Sequence, residues 1–507
     1  MPEWGEAMRE IARQVREATR RGDQDAVVRL IGTRSVDLWF AMPPDELSGV
    51  IAQIAPERLR LNPVASLVAR MLAPVTTEKP DSAGALPHTP DLPAHLHRWH
   101  VLIDAAQARV IGEAGTAYEM LAVLPDVTDP IPTVIDPSNG IRSLYLKQAA
   151  IAAALDGRLH EALSLYARVL RVPLRAGFEF FAREAHLRSA LIHGLCGDPV
   201  VAQAHLREAR ELPRSDSWVE RSLDSEQTLV VTMLDADSDP GTAFERVLQL
   251  TYGQMGEIWP FHLLALQRLG VVAERRSESR ARLESLVAAG FGATGSGLQR
   301  SAPSALLALE SLLSGNVPRA KQEWQEVDDR SWPIWFIGTM IALASGASRT
   351  AIRDLTAVKS MTKGLRQAER RRTLLLSLAH CLTEDPVAAT TAVDHLSDLN
   401  PRSESYEAGM LRILAPGVFA RLAERIPGLL PAGFLLADTG VLEAPSLTRS
   451  EAEVLAGLAR GETRDQIAQA LFRSVNTVKS QQRSLYRKLG VTSAAEAVRH
   501  AAESGYL

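Results

Sequence analysis

Between Phe472 and Lys488 five basic side chains stand among no acid: Arg473, Lys479, Arg483, Arg487 and Lys488. Guanidinium and ammonium groups only donate, so a one-signed set of this kind suits a partner rich in acceptors and negative charge. The spacing sharpens the reading. Wound as a helix, Lys479, Ser480, Arg483 and Arg487 share one face, with Tyr486 and Lys488 towards its flanks. Val475, Val478, Leu485 and Leu489 form the opposite stripe, which can pack on Ile467, Ala468 and Leu471. Arg and Lys so displayed can donate to guanine O6 and N7, and the remaining donors can hold phosphates.

The elements that must position this face are legible in the surrounding residues. Three capping boxes occur, Thr448 with Glu451, Thr463 with Gln466 and Ser493 with Glu496. In each, the hydroxyl and the longer side chain satisfy each other's free backbone amides. Gly461 and Gly490 supply helix stops. Helices are therefore expected near 449–460, 464–471, 475–489 and 494–503. Only Phe472-Arg473-Ser474 separates the second from the third, with Ser474 able to cap. Two short helices joined so closely form a helix-turn-helix, whose second helix suits a major groove.

These residues resemble a known family. Leu447-Thr448-Arg449-Ser450-Glu451-Ala452-Glu453-Val454-Leu455, Gly461, Ile467-Ala468, Leu471, Ser474, Thr477-Val478-Lys479 and Lys488-Leu489-Gly490-Val491 are similar to the LuxR-type DNA-binding domain. Sigma-factor region 4 shares part of this core, but the tail from Gly490 to Val498 supplies a fourth helix and favours LuxR. The resemblance implies base-facing roles for Lys479, Ser480 and Arg483. It implies backbone contacts for Thr477 and Tyr486, which Arg464, Arg473, Arg487 and Lys488 are expected to join. Pairing of two subunits on DNA would use Ala494, Ala497, Val498 and Ala501. Gln481 stands where the family often has His, and Thr463-Arg464-Asp465-Gln466 replaces its Ser-Asn-x-Glu pattern. Target sequence and some phosphate contacts should differ accordingly.

Ahead of this segment the chain repeats. A small residue followed by apolar positions at +4 and +7 occurs at Ala162/Tyr166/Val169, Ala202/Leu206/Ala209 and Ala243/Val247/Leu250. It returns at Ala320/Trp324/Val327, Ala351/Leu355/Val358 and Ala389/Val393/Leu396, with a weaker copy at Ala281/Ser285/Ala288. Such a stripe predicts a helix pair per repeat, the small residue allowing close approach. The pattern resembles the tetratricopeptide repeat with a longer period. Residues 1–73 also read as helical, with Ile11, Val15, Ala18, Val27, Leu30 and Ile31 at helical spacings. The stretch from Leu38 to Pro63 is similar to the helical-repeat region of MalT-like bacterial regulators.

Composition bounds the rest. The 507 residues include 46% hydrophobic and only 5% aromatic side chains, which favours helix over sheet. The net charge of −4 divides unevenly: residues 446–507 carry nine Lys or Arg and six Asp or Glu, leaving about −7 on the remainder. That split sets up the expectation that an acidic body shields a basic helix until a signal arrives. Two cysteines, Cys196 and Cys381, exclude a disulfide scaffold. No Gly-Lys pair exists, so no phosphate-binding Gly-x-x-x-x-Gly-Lys-[Ser/Thr] loop occurs. His88, His95, His97 and His100 cluster near a linker, where they read as solvated rather than metal-binding. Phe178/Phe180/Phe181, Trp259/Phe261 and Trp332/Trp335/Phe336 read as core between repeats before an effector pocket. No Gly-x-Ser-x-Gly, His-Glu-x-x-His or Cys–His pair argues for catalysis.

The expected fold is all-α, a TPR-like helical solenoid followed by a four-helix LuxR-type helix-turn-helix domain. The expected organisation is a helical region at 1–73, a Pro-rich linker at 74–94, repeats at 95–426, a linker at 427–446 and the DNA-binding domain at 447–507. The expected function is sequence-specific regulation of transcription, with a signal sensed by the repeats and DNA read by helix 475–489. A helical-repeat scaffold for protein partners, with incidental DNA binding, is the alternative. Expected partners are double-stranded DNA, a second copy of the chain on DNA, a small-molecule or protein effector, and RNA polymerase. No cofactor, metal, membrane contact or enzymatic activity is expected, and the location is expected to be cytoplasmic.

Overall fold

The computed structural model describes residues 3–72, 94–122, 140–174, 177–327, 332–382, 405–423, 447–489 and 491–503, and every regular element among them is a helix. Most of the Pro-rich stretch at 74–94, the segment 427–446, and Ala389/Val393/Leu396 lie outside the described residues. Among the described residues no helix is long and apolar enough to cross a membrane. The chain divides into two compact units, Met1–Leu266 with Gly290–Ser301, and Gln267–Ala289 with Ala302–Leu507.

The first unit begins with two helices, Glu3–Arg20 and Gln24–Ala41, joined by a three-residue turn. Ile11, Val15, Ala18, Val27 and Ile31 are buried together, as their spacing predicts. Helix pairs follow: Gly140–Leu155 with Leu159–Val169, Glu179–Leu195 with Pro199–Glu211, and Val219–Asp235 with Pro240–Gln249. The second helix of each pair carries its small residue, Ala162, Ala202 or Ala243, fully buried against its neighbours. Asp198 and Asp239 cap two of these helices by accepting from Val200 N at 2.8 Å and Thr242 N at 3.1 Å. Each cap precedes a proline whose missing amide costs nothing in the first turn.

Phe178, Phe180 and Phe181 are fully buried and gather around Phe40, with ring centroids 4.7–6.1 Å apart. They are core, which removes them as the lining of a pocket. His100 lies 3.0 Å from an Arg70 guanidinium nitrogen and 3.7 Å from Asp104. His88 and the side chains of His95 and His97 lie outside the described residues.

The second unit continues the pattern in Val317–Trp324, Ser348–Ala357 and their partners Trp332–Ala344 and Arg366–Cys381. Ala320, Ala351 and Leu355 are fully buried. One repeat needs correction. On the helix Arg276–Ala288 the weak copy Ala281/Ser285/Ala288 faces solvent, and Ser279, Leu283 and Leu286 are buried instead. The register is shifted by two residues because Ser279 takes the place of the small contact residue. A serine hydroxyl occupies little more volume than the alanine methyl that the other repeats place there.

Candidate nucleic-acid interface

Four helices make the C-terminal segment: α1 Arg449–Ala459, α2 Arg464–Ala470, α3 Val475–Leu489 and α4 Ala494–Glu503. All three capping boxes form. Thr448 N donates to Glu451 Oε2 at 2.7 Å, Thr463 N to Gln466 Oε1 at 2.8 Å, and Ser493 N to Glu496 Oε2 at 3.2 Å. In return Glu451 N, Gln466 N and Glu496 N donate to the capping hydroxyls. Between α2 and α3 the chain turns at Phe472, whose φ of +53° lies in the left-handed region. Ser474 Oγ then caps α3 by accepting from Thr477 N at 3.1 Å. Gly490 lies outside the described residues.

The core that fixes these helices is Val454, Leu455, Ile467, Ala468, Val478, Leu485, Leu489, Ala497 and Ala501. At Gly457 on α1 the fit is close enough to exclude a side chain, since a Cβ there would stand 2.6 Å from Ile467 Cγ1. That approach sets how near α2 can lie to α1, and so where α3 points.

The outward face of α3 is as the spacing predicts. Lys479, Ser480, Arg483 and Arg487 are exposed, and Thr477 is exposed at its start. Lys479, Arg483 and Arg487, four residues apart, make no ion pair among the described residues. The inward face differs by one residue. Val475 is 42% exposed, whereas Gln482 is buried beside Val478, Leu485 and Leu489. A buried amide must be satisfied. Gln482 Nε2 donates to the Tyr486 hydroxyl at 2.6 Å, and its Oε1 accepts from Arg464 Nε.

Those bonds alter the expected phosphate contacts. Arg464 and Tyr486 hold Gln482 in place, so they carry structure whatever else they do. Arg473 donates to Glu453 at 2.7 Å and to Gln481 at 3.2 Å, half-buried on the flank. Lys488 donates to Glu451 Oε2 at 2.7 Å. Burial would raise the Glu451 carboxyl, but donation from Lys488, Thr448 and Ser484 outweighs it and brings the group down to about 2. Arg473 and Lys488, expected at the DNA backbone, are thus each paired with a carboxylate of the segment itself.

The residues expected to pair two subunits divide between core and surface. Ala497 and Ala501 are fully buried within the segment's own core, because their small side chains let α4 lie against α1 and α3. Ala494 and Val498 remain half-buried, with Ala495, Arg499 and Ala502 exposed on the same helix.

Residues 445–501 match the model of the bacterial regulatory proteins of the luxR family. The segment is a LuxR-type helix-turn-helix domain. No curated protein matches the chain. The LuxR-type domain accounts for every described helix after residue 446, and the helical pairs before it lie outside the match. The chain thus joins a DNA-binding regulatory module to a long helical body.

Proposed function

We propose that the protein is a sequence-specific transcription regulator in which α3 enters the major groove. Lys479, Ser480 and Arg483 read base edges, and Thr477 and Arg487 hold the backbone, with Arg464 and Tyr486 reinforcing them from the flank. The observation that carries this reading is the row Lys479, Arg483 and Arg487, exposed and without a carboxylate partner among the described residues. A solvated cation held rigidly and unpaired gains most from a polyanion, because it has no internal bond to give up. The helical pairs receive the signal, and two copies meet on DNA through the exposed side of α4 around Val498, Ala495 and Ala502.

Duplexes selected from genomic fragments by the full-length protein provide the test. Arg483→Ala should lose about 1–3 kcal/mol on the selected duplex and relax its preference at one base position. Arg487→Ala should weaken all duplexes alike and flatten the salt dependence by about one unit of slope. Unchanged binding by the double variant Lys479→Ala with Arg483→Ala overturns the reading.

A further inference from the structure

Six turns between paired helices ahead of residue 447 share one hydrogen-bond pattern, which Gly461 and Phe472 repeat within the LuxR-type domain. At Gly157, the glycine amide reaches back to Ala154 O at 3.1 Å and the next amide to Ala153 O at 2.8 Å. Gly22, Gly112, Gly315 and Gly346 repeat this geometry, with φ between +71° and +95°. Such left-handed positions favour glycine because a Cβ crowds the backbone there. The sixth turn breaks the rule. Glu274 N donates to Val271 O at 3.2 Å and Arg275 N to Gly270 O at 2.8 Å, but the left-handed residue is a glutamate with φ +59°. A charged side chain kept at a strained position invites a functional reason.

Glu274 lines a cleft of about 440 Å³ together with Arg276, Arg280, Glu310, Ser314 and Arg412. That volume lies in the range of small-molecule sites. Three guanidinium groups converge on it, each about one-fifth exposed, the state of donors reachable from the cleft but fixed by their surroundings. Arg276 is anchored by Glu310 at 3.2 Å and Ser314 Oγ at 3.0 Å, and Arg280 by Glu284 at 2.9 Å, Ser311 Oγ at 3.0 Å and Glu323 at 3.4 Å, so both are held by carboxylates as well as hydroxyls. Glu310 is buried behind them, where it also accepts from Gln267 at 3.1 Å. Arg412 is held differently, by Glu274 at 2.8 Å, and that carboxylate is 60% exposed. An exposed ion pair is weak and readily exchanged.

We propose that this cleft binds a small anionic effector, a molecule bearing a phosphate or carboxylate group, and that Glu274 occupies Arg412 until the anion displaces it. Arg276 and Arg280 form the fixed part of the site, and Arg412 is the part that changes partner. Val271 and Ile413 add apolar wall for the rest of the molecule. The proposal gives a place and a chemistry to the sensing role assigned above to the helical pairs, and rests on that role only for its consequence, not for binding itself.

The test uses full-length protein titrated calorimetrically with inorganic phosphate and, separately, succinate, at ionic strength held constant with sodium chloride. One probe should bind at a single site, and which one does so separates phosphate from carboxylate chemistry. Glu274→Gln removes the competing charge but keeps the strained turn, and should tighten binding about two- to fivefold, the factor an exposed ion pair corresponds to. Glu274→Gly should tighten binding equally and also raise the melting temperature. Arg412→Gln, a substitution at the cleft rim, should weaken binding about tenfold or more. Binding of neither probe to the wild type and Glu274→Gln overturns the site, as does equal binding by Arg412→Gln. Repeating the titrations with DNA present separates the two proposals. Anion binding without a change in DNA affinity supports the cleft and removes the sensing role, whereas intact DNA binding without anion binding overturns the cleft and leaves the DNA-reading proposal standing.

Discussion

The helical body and the LuxR-type domain treat their cations in opposite ways. In the first unit Arg188 donates to Glu184 at 2.6 Å and Glu226 at 3.2 Å, Lys147 pairs with Glu184 at 2.9 Å, and Arg109 pairs with Glu257. Glu257 is also 3.8 Å from Arg188, so three cations and three carboxylates balance where little water reaches. On α3, Lys479, Arg483 and Arg487 have no such partners among the described residues. Arginine is the same molecule in both places. The difference is that the body spends its cations on internal acids, and the domain withholds three of them for an external one.

That contrast has consequences of unequal size. The largest belongs to the buried network. Arg188→Met leaves Glu184 and Glu226 buried without their main counter-charge and should cost about 3–5 kcal/mol, read from the denaturant midpoint. A loss below about 1 kcal/mol would mean that the network is not structural and would blur the contrast. Next in size is Gly457→Ala, whose new methyl meets Ile467 and should cost about 1–3 kcal/mol by overpacking. Because the strain lies between α1 and α2, the melting of the domain and the loss of DNA binding should fall together.

Acid should separate the two regions in order. His186 and His193 are both brought down to about 4, chiefly by burial, with His205 lowering each further and Glu208 and Asp198 respectively opposing it. His186 and His205 place their Nδ1 atoms 2.9 Å apart. These histidines fold neutral, so their contribution is whole above about 6.5 and is lost as pH falls towards 4. Glu451 folds ionised, so its contribution is whole above about 4.5 and is lost as pH falls towards 2. All eight tryptophans precede residue 447, so tryptophan fluorescence reports the body alone. Its acid transition should come at higher pH than that of α-helical signal from the isolated LuxR-type domain. The smallest effect is at the odd turn, where Glu274→Gly should add about 1 kcal/mol of stability by relieving the left-handed residue.

Much of the domain was readable from spacing, because caps, stops and stripes are local. Thr448, Thr463 and Ser493 each need only a partner three residues on, and such pairs are written side by side in the chain. What escaped depends on distant partners. Gln482 sits on the inward stripe because Arg464, eighteen residues away, and Tyr486 satisfy its amide, and no period reveals that. Val475 obeys the stripe yet is the first residue of α3 and stays 42% exposed. Ala497 and Ala501 have the size and spacing of a subunit contact, but the same features let α4 close on its own core. In the body, the register around Ser279 is hidden in the sequence because a serine can play the part of alanine. Glu274 was invisible for a related reason: a turn that should demand glycine accepted a residue with other work to do.

If the charge left unpaired on α3 reads DNA, two arginines of the same domain must behave differently. The affinity of the full-length protein for a duplex selected from genomic fragments should be measured with Arg483→Ala and with Arg473→Ala, alongside the melting temperature of each. Arg483→Ala should lose about tenfold or more in affinity with its melting temperature unchanged. Arg473→Ala, which breaks the pair with Glu453, should lower the melting temperature while changing affinity by less than about threefold. Equal affinity losses in the two variants, or none in Arg483→Ala, would mean that unpaired charge on α3 does not read DNA.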